Sequence, residues 1–273
     1  MLKQWVHMHK RSAVLGLVTY LAVAFMLAPL VVLVGAGFST TTYLTFPPVG
    51  FTGQWFAQLP HDDALMRGLL VSVFLGLAAM IVAVSLAVGI VLFQRNKTGR
   101  LYSALEAYFL SPALVPQLVL GIGLLFFLSQ LNLVGSTVGL LGGHIVMTLP
   151  FAIRSVTSAI RGIDHNLERA AAICGASPAV VLWRVTLPSI KPGIASACMF
   201  AFLVSFNNIT LTLFIADIGL TTLPVVLFQR SQEFVSPLIP AIATCLLIGT
   251  VVLTGTLHAR FGVLNSARNT ATR

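Results

Sequence analysis

Charge is what this chain has least of. Asp, Glu, Lys and Arg make up 8% of its 273 residues, against about 25% in a soluble domain. So few charges cannot clothe a water-facing surface of that size, which excludes an ordinary soluble globule. Acid is scarcer still, with 7 Asp and Glu against 16 Lys and Arg. The acids are scattered between apolar segments, and no span contains one. That excludes clustered catalytic carboxylates near a membrane face, and it removes the buried acid on which many coupling-ion transporters depend. No H-E-x-x-H or G-x-S-x-G run occurs, and nothing matches G-x-x-x-x-G-K-[ST]. The chain is therefore expected to be no enzyme, to hold no cofactor or metal, and not to hydrolyse ATP itself. The net charge of +9 comes without a dense Lys/Arg run, so nucleic acid is not an expected partner. Of 3 cysteines, Cys174 falls in a basic loop and Cys198 and Cys245 in apolar segments, so no disulfide is expected.

What the chain does have is length without charge. Hydrophobic residues make up 57% of it, and a helix crossing a bilayer needs about 20 of them in succession. The expectation is an all-α polytopic membrane protein of about six transmembrane helices, forming a single domain over 1–273 with its core about 66–260. A first span is expected from about Ser12 to Gly35, too long for the h-region of a signal peptide and closed by no convincing A-x-A site. Phe38 to Pro60 reads as an outer loop in which Trp55 and Phe56 suit a membrane interface. Further spans are expected over about Arg67–Phe93, two more between Glu106 and Arg154 parted near Asn132 and Gly135-Ser136, then about Ile194–Ile215 and Phe234–Leu257. From His258 the tail is polar.

Orientation follows from the cations. With the N-terminus inside, Lys3, Lys10, Arg11, Arg95, Lys97, Arg100 and the Lys and Arg residues of 154–191 and 260–273 all lie on the cytoplasmic side, leaving only Arg67 and Arg230 outside. This is a strong positive-inside bias, and it places both termini in the cytoplasm.

Between Arg154 and Lys191 lies the most informative stretch. It reads Arg161-Gly-Ile-Asp-His-Asn-Leu-Glu-Arg-Ala-Ala-Ala-Ile-Cys-Gly175, followed by Ala-Ser-Pro-Ala-Val-Val-Leu-Trp-Arg-Val-Thr-Leu-Pro188. Asp164 suits a helix N-cap, and Gly175 suits the left-handed position past a helix end. Ser177-Pro178 restarts a helix, and Leu187-Pro188 is expected to stop it. The result is a helix-Gly-helix element over about 161–190. Ala170, Ala171 and Ala172 leave its surface low enough for another protein to approach. On the residues alone, it is either an ordinary amphipathic loop or a docking surface.

The same residues resemble the cytoplasmic "EAA" loop of permease subunits of ABC importers, E-A-A-x-x-x-G with a downstream L-P. Ala170-Ala171, Gly175 and Leu187-Pro188 match in order and spacing, while Arg169 stands where the motif has Glu and Glu168 lies one residue earlier. Phe46-Pro-Pro-Val-Gly-Phe-Thr-Gly-Gln-Trp55 is similar to the first outer loop of spermidine/putrescine-type permeases. Ser205-Phe206-Asn207-Asn208, with Thr221-Thr222-Leu223-Pro224 after it, is similar to that family as well.

The resemblance implies a type I importer in a bacterial inner membrane. This chain would pair with a second permease, identical or different. Two copies of a cytoplasmic ATPase, which use the ATP and Mg, would receive the coupling loop with its Glu168, Arg169, Ala170, Ala171, Gly175 and Pro188. An extracytoplasmic binding protein would deliver a small solute, a polyamine or a related amine or organic compound. Many relatives carry acid near Asn207 and Asn208, where this chain has neutral amides. The alternative function is a stand-alone secondary transporter or channel.

Three polar residues sit at membrane depth. His144, beside Gly142 and Gly143, is either a packed, hydrogen-bonded histidine or a functional one. Asn207 and Asn208 either bond to neighbouring helices or line the translocation path. Gly135-x-x-x-Gly139 and Gly139-x-x-x-Gly143 suit close helix approach. His7-x-His9, a lone pair on a tail, carries no metal expectation.

Overall fold

The computed structural model describes residues 2–95, 97, 99–233 and 236–261. Among these, regular structure is helical apart from one bridge pairing Ser39 with Phe51. The chain packs as two units. One combines the N-terminal segment through Asp62 with Arg230–Thr250; the other is Asp63–Gln229 with the chain from Val251 onward.

In the first unit, α1 (Leu2–Gly37) runs through Pro29 and is longer at both ends than the apolar stretch alone suggests. The side chains of His7 and His9 lie outside the described ones. Where α1 ends, a Cβ on Gly37 would stand 3.2 Å from the backbone nitrogen of Ala241, so glycine favours this close approach. The outer loop then folds back onto that end. Thr52 N donates to Phe38 O at 2.8 Å, and a short helix α2 (Gln54–Gln58) follows. Trp55 is buried in the protein, its indole N–H donating to Ser39 O at 2.7 Å. A buried indole needs such a partner, and here it fastens the loop. Asp62 closes the unit by accepting both guanidinium nitrogens of Arg230, at 2.6 and 2.8 Å.

The second unit begins with α3 (Asp63–Gln94), whose end Lys97 caps by lying 3.4 Å over the Phe93 ring. After it come α4 (Arg100–Leu110), α5 (Gln117–Gln130) and α6 (Thr137–Arg161). Here the structure corrects the expected pattern: the segment through α4 and α5 bends by 102°. Pro116 accounts for the bend: it lacks an N–H and its own ψ of 134° is extended, whereas Pro112 sits in a short helical turn and Ser111 before it stays helical. Helix α6 also continues through Arg154, which was expected in a loop, and reaches Arg161.

Next come α7 (His165–Ile173), α8 (Pro178–Val181), a π-helical turn over Leu182–Thr186, α9 (Leu187–Ser189) and α10 (Lys191–Phe206). Contrary to expectation, Pro188 does not stop the helix. It sits in the first turn of α9, where its missing N–H leaves no bond unmade and the wide π-turn before it relieves the ring clash. The change of direction, 63°, comes at Ile190 instead. The fifth expected span is likewise interrupted, α10 ending at Asn207 and α11 (Thr210–Ile215) starting afresh. The segment holding Arg230 and Glu233 is helical, α12 (Leu223–Glu233), rather than a loop. Helix α13 (Leu238–Phe261), whose residues through Thr250 belong to the first unit, stands in place of the expected Phe234–Leu257 span; Phe234 and the tail from 262 lie outside the described residues.

Helices α3, α6 and α10 form the core of this unit. Val84, Ala87 and Val91 meet Ala152, Val156 and Ile160 and the small Ala197 and Ala201. Small residues let the backbones close in: a Cβ on Gly193 would stand 2.1 Å from that of Ala159. Gly143 serves the approach of α6 to Leu211 and Ile215 on α11, while Gly135 is a turn glycine with φ 74°. Four helices, α1, α3, α6 and α13, are long and apolar enough to cross a membrane, and the two bent pairs bring the number to six if each is one span.

Candidate functional site: a helix-Gly-helix element and a polar break in the spans

Local sequence builds the helix-Gly-helix element from caps. The Asp164 carboxylate accepts from Asn166 N at 2.9 Å and starts α7. At the other end Gly175 takes φ 83°, while Gly175 N donates to Ala172 O and Ala176 N to Ala171 O, each at 3.0 Å. This is the paired closure that a left-handed glycine allows. A Cβ on Gly175 would meet nothing within 4 Å, so glycine is required there by backbone conformation and not by space. Ser177 Oγ then accepts from Val180 N at 3.4 Å, with Pro178 in the first turn of α8.

Within α7, successive residues diverge by about 100°, enough to put neighbours on different surfaces. Glu168 turns inward, where one carboxylate oxygen accepts from the Arg95 guanidinium and the other from Thr186 Oγ1. Its side chain is 14% exposed and that of Arg95 13%. One carboxylate thus ties together the end of α3, α7 and the π-helical turn. Arg169, next along, is exposed, and so are Ala170 and Ala172, whereas Ala171 is half-buried beside Glu168. Gly175 and Pro188 are exposed. Ile173, one turn beyond Arg169, is 87% exposed, and Trp183 on the following turn 70%.

Arg95 and Thr186 were not singled out in the sequence, although a signal for Arg95 exists. It continues the spacing of the buried positions Val84, Ala87 and Val91 along α3, so of the three cations in that turn it alone falls in line with the packed face. Thr186 carries no comparable signal.

The polar break lies deeper in the same unit. Asn208 is buried, its Oδ1 accepting from Leu211 N at 2.8 Å and its Nδ2 reaching Met147 Sδ at 3.0 Å. Asn207, by contrast, is exposed and donates through Nδ2 to Leu203 O at 3.0 Å. His144 is fully buried, with Nδ1 2.8 Å from Ser205 Oγ and Nε2 3.2 Å from Thr212 Oγ1. Hydroxyls can donate or accept, so both ring nitrogens are satisfied. His144 and Asn208 therefore hold α6 to the junction of α10 and α11, and of the three polar candidates Asn207 alone presents an outward face.

Residues 83–260, which include both features, match the model of the family described as "Binding-protein-dependent transport system inner membrane component". The chain belongs to this family. Its putrescine transport system permease protein PotI, from Escherichia coli K12, is 29% identical over 245 residues, covering 86% of this chain and 85% of PotI. The spermidine/putrescine transport system permease protein PotC of the same strain is 26% identical, over 84% of this chain and 87% of PotC. A putative 2-aminoethylphosphonate permease protein, PhnV of Salmonella typhimurium, is 30% identical over 82% of this chain and 85% of its own. Among solved structures, a bacterial ABC transporter for alginate superposes with a TM-score of 0.67 at 14% identity, covering 91% of this chain and 96% of the other. The methionine ABC transporter MetNI gives 0.58 at 17% identity, over 77% and 98%. Fold and family agree: the chain is a multi-pass inner-membrane permease subunit of an ABC importer.

Proposed function

We propose that this permease carries a small amino compound inward, driven by an ATPase that receives the element from Asp164 to Pro188. What supports this is the way the element is built. Two capped helices around a left-handed glycine stand at the surface with Arg169, Ile173 and Trp183 outward. Their inner side is fastened to the end of span α3 through Glu168 and Arg95. A push on the outer face therefore reaches a transmembrane helix through an ion pair, which is what coupling requires. A stand-alone transporter has no use for such a device.

Both termini lie in the cytoplasm on this reading, following the cation bias. A second permease, two ATPase copies and an extracytoplasmic binding protein complete the assembly, and ATP and Mg act on the ATPase. The relatives named for putrescine, spermidine and 2-aminoethylphosphonate support an amino compound as cargo. The exposure of Asn207 supports it as the residue that meets the cargo, through an amide that offers a donor and an acceptor without fixed charge. The test is purification in mild detergent, identification of co-purifying chains, and reconstitution in proteoliposomes with the binding protein. ATP hydrolysis stimulated by the loaded binding protein is expected. A chain that transports alone, with no ATPase attached, would refute the proposal.

A further inference from the structure

The element from Arg161 to Lys191 has an unbalanced outer face. Arg161, Arg169, Arg184 and Lys191 are all exposed, and no partner engages them among the described residues. The element has two carboxylates. Asp164 is exposed but caps α7 by accepting from Asn166 N. Glu168 is turned away from that face, neutralised by Arg95 and hydrogen-bonded by Thr186. The outer face of α7 therefore offers Arg169, with the apolar Ile173 one turn further on at 87% exposure, and no free acid.

A buried guanidinium without a counter-charge is strongly unfavourable, so a partner that covers Ile173 must supply a carboxylate opposite Arg169. We propose that the ATPase groove receiving this chain is acidic, with an apolar floor for Ile173 and at least one Asp or Glu paired to Arg169, and that this pair selects the ATPase. The proposal rests on the reading of this element as the ATPase-docking one. Glu168 takes no part in the contact; its work is internal. Position 169 thus decides the sign of the docking charge, and a subunit whose groove is lined with cations would be rejected by like-charge repulsion.

The experiment uses the assembled complex. Wild type, Arg169→Lys, Arg169→Gln and Arg169→Glu are purified in mild detergent at low and high NaCl, and the co-purifying ATPase is measured against the second permease in each preparation. The wild type and Arg169→Lys should retain ATPase, Arg169→Gln less, and Arg169→Glu less by about tenfold or more at low salt. Retention of the second permease by every variant shows that the fold is intact. A matching Asp or Glu to Lys change on the ATPase should restore binding to Arg169→Glu. Should Arg169→Glu hold the ATPase as well as or better than wild type, the acidic groove is refuted while the docking reading stands. If the wild type itself brings down no ATPase, the docking reading falls and takes this proposal with it.

Discussion

Glu168 and Arg169 are adjacent on one helix, yet they belong to different surfaces: the carboxylate closes an internal bridge to Arg95, and the guanidinium faces outward. The bridge is nearly sequestered from solvent, so its loss leaves a charge in poor surroundings. Arg95→Gln should destabilise the permease by about 1–3 kcal/mol, below the ~3–5 kcal/mol that breaking a fully buried pair costs, because some solvent still reaches it. Arg95→Gln with Glu168→Gln should recover part of that. Thermal unfolding in detergent measures both; a double variant less stable than either single one would contradict the bridge.

Gly175→Val tests the left-handed link. At φ 83° a side chain costs about 1 kcal/mol for Ala and more for a β-branched residue. That is too little to unfold the bundle and enough to misplace α8 against α7. Membrane insertion and the second permease's association should stay normal while uptake is abolished. Normal uptake by this variant would show that the angle between the two helices does not matter.

The polar break separates support from path. His144→Leu takes the ring partner from the Ser205 hydroxyl and leaves that of Thr212 with Asn208 O alone, and Asn208→Leu removes the acceptor for Leu211 N. Each should lower stability by about 1–3 kcal/mol, the cost of unsatisfied buried polar groups. Asn207→Leu, at an exposed position, should leave thermal unfolding unchanged and lower transport. Equal transport by wild type and Asn207→Leu would take Asn207 off the path.

Orientation is checked with a native cysteine. In a Cys198→Ser, Cys245→Ser background, the exposed Cys174 should resist an impermeant thiol reagent in intact cells and react once they are opened. With Cys174→Ser added, Val49→Cys, 73% exposed, should react in intact cells. The reverse pattern would invert the topology.

Spans were legible in the sequence because long apolar runs are read without knowing any neighbour. The caps at Asp164 and Ser177 and the left-handed Gly175 were legible for the same reason, being local chemistry. The bend between α4 and α5 and the break at Asn207-Asn208 were not, because neutral amides and prolines interrupt helix geometry while hardly interrupting hydropathy. The inward turn of Glu168 was hidden for a different reason. A helix shows that neighbouring residues diverge by about 100°, but which side faces the bundle depends on where Arg95 lies, 73 residues earlier in the chain. Likewise His144 could be read as packed or functional until Ser205 and Thr212 were found on its two nitrogens.

The central claim is that the Asp164–Pro188 element sits in an ATPase, and Cys174 lies on it ready for the test. With Cys198→Ser and Cys245→Ser, a maleimide-benzophenone attached to Cys174 in the purified complex should, on illumination, give one product with the ATPase subunit. Gly175→Val should strongly reduce that product. A complex that retains its ATPase but forms no such product from Cys174 would contradict the account.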